Sequence, residues 1–218
     1  REKIIKLANS GDKAARARLD VIERMMAHLN EGKMLRTMDV SEEESGVFNE
    51  FGLISDKPMM YCANIGEDGD GTEEAIAVEK LAQKDGAAFI MISGKIEEEI
   101  SELPPDEKKE FLVSLGIEES GLDKMIKTAY NLLNLITYYT AATELQAWTV
   151  KRGTVAQKAA GKIHTDFERG FIRAEVFSFD DLLALGSEHA IREKGLLRVE
   201  GKDYVLKDGD IVHYLFNV

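Results

Sequence analysis

The chain has 218 residues, 44% of them hydrophobic and 31% charged, with a net charge of −12 and one cysteine. That length can bury a sizeable core in one or two domains, and the composition argues against disorder. No apolar run reaches the length of a membrane span, the charged start REKIIK is no signal peptide, and a lone Cys62 excludes an internal disulfide framework, so a cytoplasmic, reducing setting away from membranes is expected.

In chain order, Ala15, Leu19, Ile22, Met26 and Leu29 are spaced four, three, four, three, which predicts a helix with a coiled-coil seam. Ser10-Gly11-Asp12 predicts a bend or cap before it. Residues 1–9 are too short to cover such a seam. Residues upstream of Arg1 are therefore expected to be absent from this chain, unless the helix packs on its own domain. Ser41 and Glu44 form a capping-box pattern that opens a short helix ending near Gly52.

"KPMMYCA" reads as a strand, with Cys62 expected as a small buried residue. "TEEAIAVEKLAQKDG" reads as an amphipathic helix with Ala75, Ile76, Leu81 and Ala82 inward and Gly86 as its stop. "AAFIMI" is a continuous apolar run, expected to be a strand buried on both faces. Strand, helix, strand over about 35 residues predicts a βαβ unit and a parallel sheet. Two helices follow Pro104-Pro105, at roughly 106–115 and 121–134. Glu97-Glu98-Glu99 reads as a solvated helix face.

From Leu135 the texture changes to a small α+β domain. "ELQAWTV" and "GFIRAEVF" are strands, "TVAQKAAGKI" a loop or short helix, and "SFDDLLALG" a Ser-capped helix. Short strands separated by turns at 200–203 and 208–210 close the chain. Trp148 is read as a core anchor before a base-stacking platform. Thr165, with Glu168 three residues on, is read as a helix cap. His28, His164, His189 and His213 show no ligand spacing, so no metal site is expected from them.

The charge is uneven. Residues 1–134 carry 17 basic and 28 acidic side chains, and residues 135–218 carry 11 and 12. Within the second part, Lys151, Arg152, Lys158, Lys162, Arg169 and Arg173 form a basic island against Asp166 and Glu168. Such an island is either an RNA contact or a set of ordinary solvated charges.

In an open parallel sheet, ligands bind beyond the carboxyl ends of the strands. Asn64-Ile65-Gly66-Glu67 follows one strand end and Ser93-Gly94-Lys95 the next, so both loops could face one ligand. The pattern suits a purine base. Asn64 can brace a loop and reach a ring nitrogen, Glu67 can accept from amino and imino protons, and Gly94 permits close approach. An Asx-type turn is the plainer reading of the same residues. In the general GTPase pattern the first loop reads Asn-Lys-x-Asp; here Ile65 and Glu67 take the Lys and Asp places. The longer Glu67 misplaces the fork that matches guanine's two donors, which predicts relaxed or adenine-leaning recognition. The acidic spacing of Asp68, Asp70, Thr72 and Glu79 fails as an EF-hand, because its sixth position is Glu73.

"ANIGEDG", "SGK", "LNLITYYTAATELQAWTV", "AAGKIHTDFERGFIRAEV" and "GKDYVLKDGDIVHYLFNV" together resemble the YchF, or Obg-like ATPase, family across essentially the whole chain. The resemblance implies a helical coiled-coil segment at 1–52, the C-terminal part of an OBG-type nucleotide-binding domain at 53–134, and a TGS domain of ubiquitin-like β-grasp fold at 135–218. It also implies ATP hydrolysis with Mg²⁺, with GTP as a possible second nucleotide, and association with ribosomes or ribosomal RNA. A monomer that regulates translation or stress response is expected.

The sequence departs from that family in one respect. It contains no GxxxxGK[ST] string, and the nearest stretch, Ala156 to Ile163, lacks the first Gly and the Ser/Thr. Base recognition without phosphate or Mg²⁺ machinery is expected, and this chain alone is expected to be inactive. The alternative is a non-enzymatic adaptor that binds RNA or protein through a TGS module.

Overall fold

The computed structural model describes residues 2–141 and 145–217; the Glu144 predicted to open the strand "ELQAWTV" lies outside them. The chain divides into two compact units, Arg1–Thr128 and Ala129–Val218.

In the first unit, α1 (Glu2–Asn9) and α2 (Lys13–Asn30) are separated by the expected bend, and the Asp12 carboxylate caps α2 by accepting from Ala14 and Ala15 N–H. α3 (Glu42–Phe51) opens with the full capping box: Ser41 accepts from Glu44 N–H, and the Glu44 carboxylate accepts from Ser41 N–H. It ends on Gly52, whose φ of 56° is the left-handed cap that glycine adopts without a Cβ clash. The buried face of α2 keeps Ala15 and Ile22 of the predicted seam and departs from it elsewhere. Val21 and Met25 pack with Leu35 and Phe48, while Met26 and Leu29 are exposed. α3 and the Leu35 turn cover the 21/25 ridge, so the helix finds a partner for that ridge within its own unit.

β1 (Met60–Asn64), α4 (Thr72–Lys84) and β2 (Ala88–Ile92) form the predicted βαβ unit, with β1 and β2 parallel and Asn64 registered with Ile92. α4 ends before Gly86, as expected, but only Ala75 and Ala82 are buried; Ile76 and Leu81 are exposed. Cys62 is exposed and Ile90 is the one buried residue of β2, against the expectation of burial. Two strands with a helix on them cover one face at most, so the outward positions stay solvated. α5 (Gly94–Glu102), α6 (Pro105–Ser114) and α7 (Gly121–Leu132) complete this unit, with the unit boundary falling inside α7.

The second unit is a five-stranded sheet in the order β4-β3-β7-β5-β6, from β3 (Leu135–Ala141), β4 (Leu145–Lys151), β5 (Phe171–Ser178), β6 (Arg198–Glu200) and β7 (Asp210–Phe216). The first and last strands pair in parallel at the centre, and the other neighbours are antiparallel. α8 (Ala156–Ile163) packs Ala156 and Ala159 on Ile136, Tyr138, Val150, Val176 and Val212, with Trp148 half-buried at the margin and its Nε1–H donating to Thr140. Residues 204–206 form a single bridge, Val155 with Val205, in place of a predicted strand. In α9 (Thr165–Arg169) the cap is His164, whose Nδ1 accepts from Asp166 N–H, and Thr165 is the first helical residue. α10 (Phe179–Leu185) is capped by Ser178 as expected, and α11 (Glu188–Glu193) was not foreseen.

Candidate functional site

Both strand ends open on the carboxyl edge of the parallel pair, and the backbone carries Asn64 and Ser93 there together. Ile65 N–H donates to Ile92 O at 2.9 Å, extending the ladder one residue past the strands. Asn64 Oδ1 then accepts from Gly94 N–H at 2.8 Å, which ties the first segment to the second. A Cβ on Gly94 would lie 3.3 Å from that same Oδ1, so glycine keeps the approach close. The Ser93 hydroxyl accepts from Ile96 N–H and caps α5. Ser93-Gly94-Lys95 is thus a strand end running straight into a helix, where a loop was expected.

The acidic stretch after Asn64 is a tight turn. Gly66 N–H donates to Asp70 O at 2.8 Å, and the Asp68 carboxylate accepts from Asp70 N–H. This braces the backbone that presents Glu67. Lys95 forms an ion pair with Glu67, and that contact is the main cause that raises the Lys95 pKa above the ordinary lysine value. Asn64, Glu67, Gly94 and Lys95 are exposed, Ile65 and Gly66 are half-buried, and Ser93 is buried. All seven residues of the two predicted base segments therefore lie along one edge.

The support behind this edge comes from residues distant in the sequence. Glu97, read as part of a solvated face, accepts from Gly121 N–H at 2.6 Å and Leu122 N–H at 3.1 Å, and so caps α7. A Cβ on Gly121 would lie 2.7 Å from Ile92 Cγ2, at the end of β2. No local pattern announces either contact, because each joins residues more than twenty positions apart.

The exposed edge carries the Asn64 amide, the Glu67 carboxylate and the Lys95 ammonium together. Among the described residues no group of three His, Cys, Asp or Glu side chains could hold a metal ion, and the sequence has no phosphate-cradling string.

The six cations of the basic island are all exposed. The fold brings three of them, Lys151, Lys158 and Lys162, to one hollow between β4 and α8; Arg152, Arg169 and Arg173 do not line it. Lys158 pairs with Glu168 at 2.6 Å. That carboxylate, read from the sequence as part of a helix start and as one of the two acids set against the island, is a direct counter-charge within it.

The chain is a mixed α/β protein with the fold of a solved YchF GTPase from Schizosaccharomyces pombe: the TM-score is 0.80 at 32% identity, over 93% of this chain and 55% of that one. A GTP-binding protein from Pyrococcus horikoshii OT3 shares the fold at a TM-score of 0.54 and 23% identity, over 82% of this chain and 51% of that one. Residues 135–217 match the family model YchF-GTPase_C, described as a protein of unknown function (DUF933). Curated relatives named ribosome-binding ATPase YchF are 44% identical in Escherichia coli O157:H7 and 42% identical in Bacillus subtilis, each over 99% of this chain. The chain is homologous to these YchF proteins. It spans about 60% of the length of these relatives, in a match consistent with their C-terminal portion.

Proposed function

We propose that this chain is the C-terminal part of a cytoplasmic, ribosome-associated protein that binds and hydrolyses ATP and regulates translation or stress response. In this reading residues 1–52 form a helical coiled-coil arm, 53–134 the base-reading part of an OBG-type nucleotide-binding domain, and 135–218 a TGS module. The parallel pairing of the first and last strands at the centre of the five-stranded sheet supports a β-grasp fold for that module. The names of the relatives support a ribosomal partner, and the basic island supplies cations for ribosomal RNA. We read the protein as a monomer.

The observation that carries the nucleotide reading is the bond from Gly94 N–H to Asn64 Oδ1, which fixes Asn64, Ile65, Gly66 and Glu67 against Ser93, Gly94 and Lys95. Asn64 orients the edge, Gly94 admits the ring, and Ile65 offers an apolar contact. Glu67 accepts from base N–H groups, with Lys95 holding its carboxylate in place. Because Glu67 is one methylene longer than the residue suited to guanine, ATP competes at least as well as GTP. Phosphate and Mg²⁺ binding fall, in this reading, to residues other than those of this chain.

Nucleotide titration of the full-length protein tests this. Glu67→Asp combined with Ile65→Lys should move the preference toward GTP, and an unchanged ATP-to-GTP ratio overturns the base-reading role. A non-enzymatic adaptor is the second reading, favoured by the lack of a phosphate cradle in the chain. The intact mass of the source protein, with a search for a GxxxxGK[ST] segment before Arg1, separates the two.

A further inference from the structure

α7 is anchored at both ends, once in each unit of the chain. At its start, Gly121 stands against the end of β2 and the first turn of α5, the two places that enclose Ser93-Gly94-Lys95. The Glu97 carboxylate accepts from Gly121 and Leu122 N–H, and a Cβ on Gly121 would lie 2.7 Å from Ile92 Cγ2 and 2.9 Å from Glu97 Oε1. Ile92 O in turn accepts from Ile65 N–H, so the first base segment reaches the same junction through one bond. Packing this close leaves no slack, and a shift of either flank moves the start of α7.

The far end is held as firmly. Tyr130 Oη and Thr149 Oγ1 of β4 share a hydrogen bond of 3.2 Å. Only Leu133 and Asn134 separate α7 from β3. Asn134 is the sole non-glycine residue with a positive φ, 54°, among the described residues. Its N–H donates to Asn131 O at 3.0 Å and its O accepts from Arg152 N–H at 2.8 Å, which fixes the turn from helix into sheet. The 12 residues of α7 thus form a rod of roughly 18 Å with no loose linker after it.

We propose that α7 is a relay that couples nucleotide occupancy of the base edge to the β3–β4 pair of the second unit, with Glu97 as the positioning residue at its start and Tyr130 at its end. The proposal rests on the nucleotide reading for its ligand and on the anchorages of α7 for the link. A base seated against Gly94 orders Ser93-Gly94-Lys95, and the Glu97 carboxylate then holds the cap of α7 closed. The rod favours one setting of Tyr130 against Thr149. Packed side chains, hydrogen bonds and rigid elements are the physical carriers of such coupling. Coupling is reciprocal, so a ligand that grips the β3–β4 pair changes nucleotide affinity by the same factor.

The test is amide exchange, read by mass spectrometry on the full-length protein with and without a saturating non-hydrolysable ATP analogue and Mg²⁺. In the parent the analogue should slow exchange at 64–67 and 93–97, and slow it about fivefold or more in the last turn of α7 and in β4. Glu97→Gln turns one of two accepting oxygens into a donor, and should keep the slowing at 64–67 while losing that in β4. Tyr130→Phe removes only the far hydroxyl, and should keep the slowing in the first turn of α7 while losing that in β4. Ser178→Ala uncaps α10, off the path, and should leave the whole response in place. Without nucleotide, Glu97→Gln should speed exchange in β4 by roughly 2- to 30-fold, the range of single changes along a coupled path.

Slowing at the edge with none in β4 would overturn the relay and leave the base reading intact. So would a β4 response that survives both Glu97→Gln and Tyr130→Phe, or one that Ser178→Ala abolishes equally. An analogue that binds without slowing exchange at 64–67 and 93–95 would overturn the base reading. The nucleotide-free comparison then decides the relay alone, and unchanged β4 exchange in Glu97→Gln overturns it.

Discussion

Replacing Gly121 with alanine presses directly on the support behind the proposed base edge. The new Cβ would lie 2.7 Å from Ile92 Cγ2, 3.0 Å from Ile92 Cβ and 2.9 Å from Glu97 Oε1. Ile92 is strand backbone on one side and a stiff β-branched side chain on the other, so it yields little. Overpacking of this kind costs about 1–3 kcal/mol. Alanine returns at most about 1 kcal/mol of helix propensity, and less at a first helical position. The net loss should be about 1–2 kcal/mol, a factor of roughly 5–30 in a local opening equilibrium.

Hydrogen exchange in β2 and the first turn of α7 reads that factor directly. Glu97→Ala removes the acceptor of the Gly121 and Leu122 N–H groups and should cost about 1 kcal/mol, the usual value of a lost helix cap. The two residues touch, so the double variant should lose less than the sum. Protection unchanged in Gly121→Ala would refute the close packing. Full additivity would refute the shared contact.

Two further outcomes follow from other sites. The isolated 218-residue chain should release no phosphate from ATP with Mg²⁺; measurable turnover by the pure chain would overturn the division into base and phosphate halves. The Glu44 carboxylate is held below its ordinary pKa, first by the Ser41 backbone N–H, so its contribution to stability is present above the ordinary carboxylate range and is lost as pH falls through the lowered value. In Ser41→Ala, α3 should lose about 1 kcal/mol of stability, read from helix-specific hydrogen exchange, and equal protection in variant and parent would refute the capping assignment.

The sequence by itself determined the elements whose signals are local. Asp12, Ser41 with Glu44, and Ser178 each bond backbone N–H groups two or three residues away, so the caps can be read without knowing the fold. Gly52 and Gly86 stop their helices for an equally local reason, a positive φ. The strand ends at Asn64 and Ser93 and the alternation of β1, α4 and β2 were legible for the same cause. The short range of these forces is what makes them readable.

Only the tertiary structure decided which face each element buries. Cys62, Ile76 and Leu81 look like core residues by type, but burial depends on what stands opposite, and a two-stranded sheet leaves those positions wet. α2 buries Val21 and Met25 because Leu35 and Phe48 arrive there from elsewhere in the chain. His164 takes the cap from Thr165 because the chain turns extended at 164, where α8 ends and α9 begins. The bracing bond from Gly94 to Asn64, the Glu97 cap on α7 and the selection of three cations from six all join residues that sequence spacing does not relate. Electrostatic and packing partners are chosen by distance in space, and that distance is fixed only when the strands pair and the helices dock.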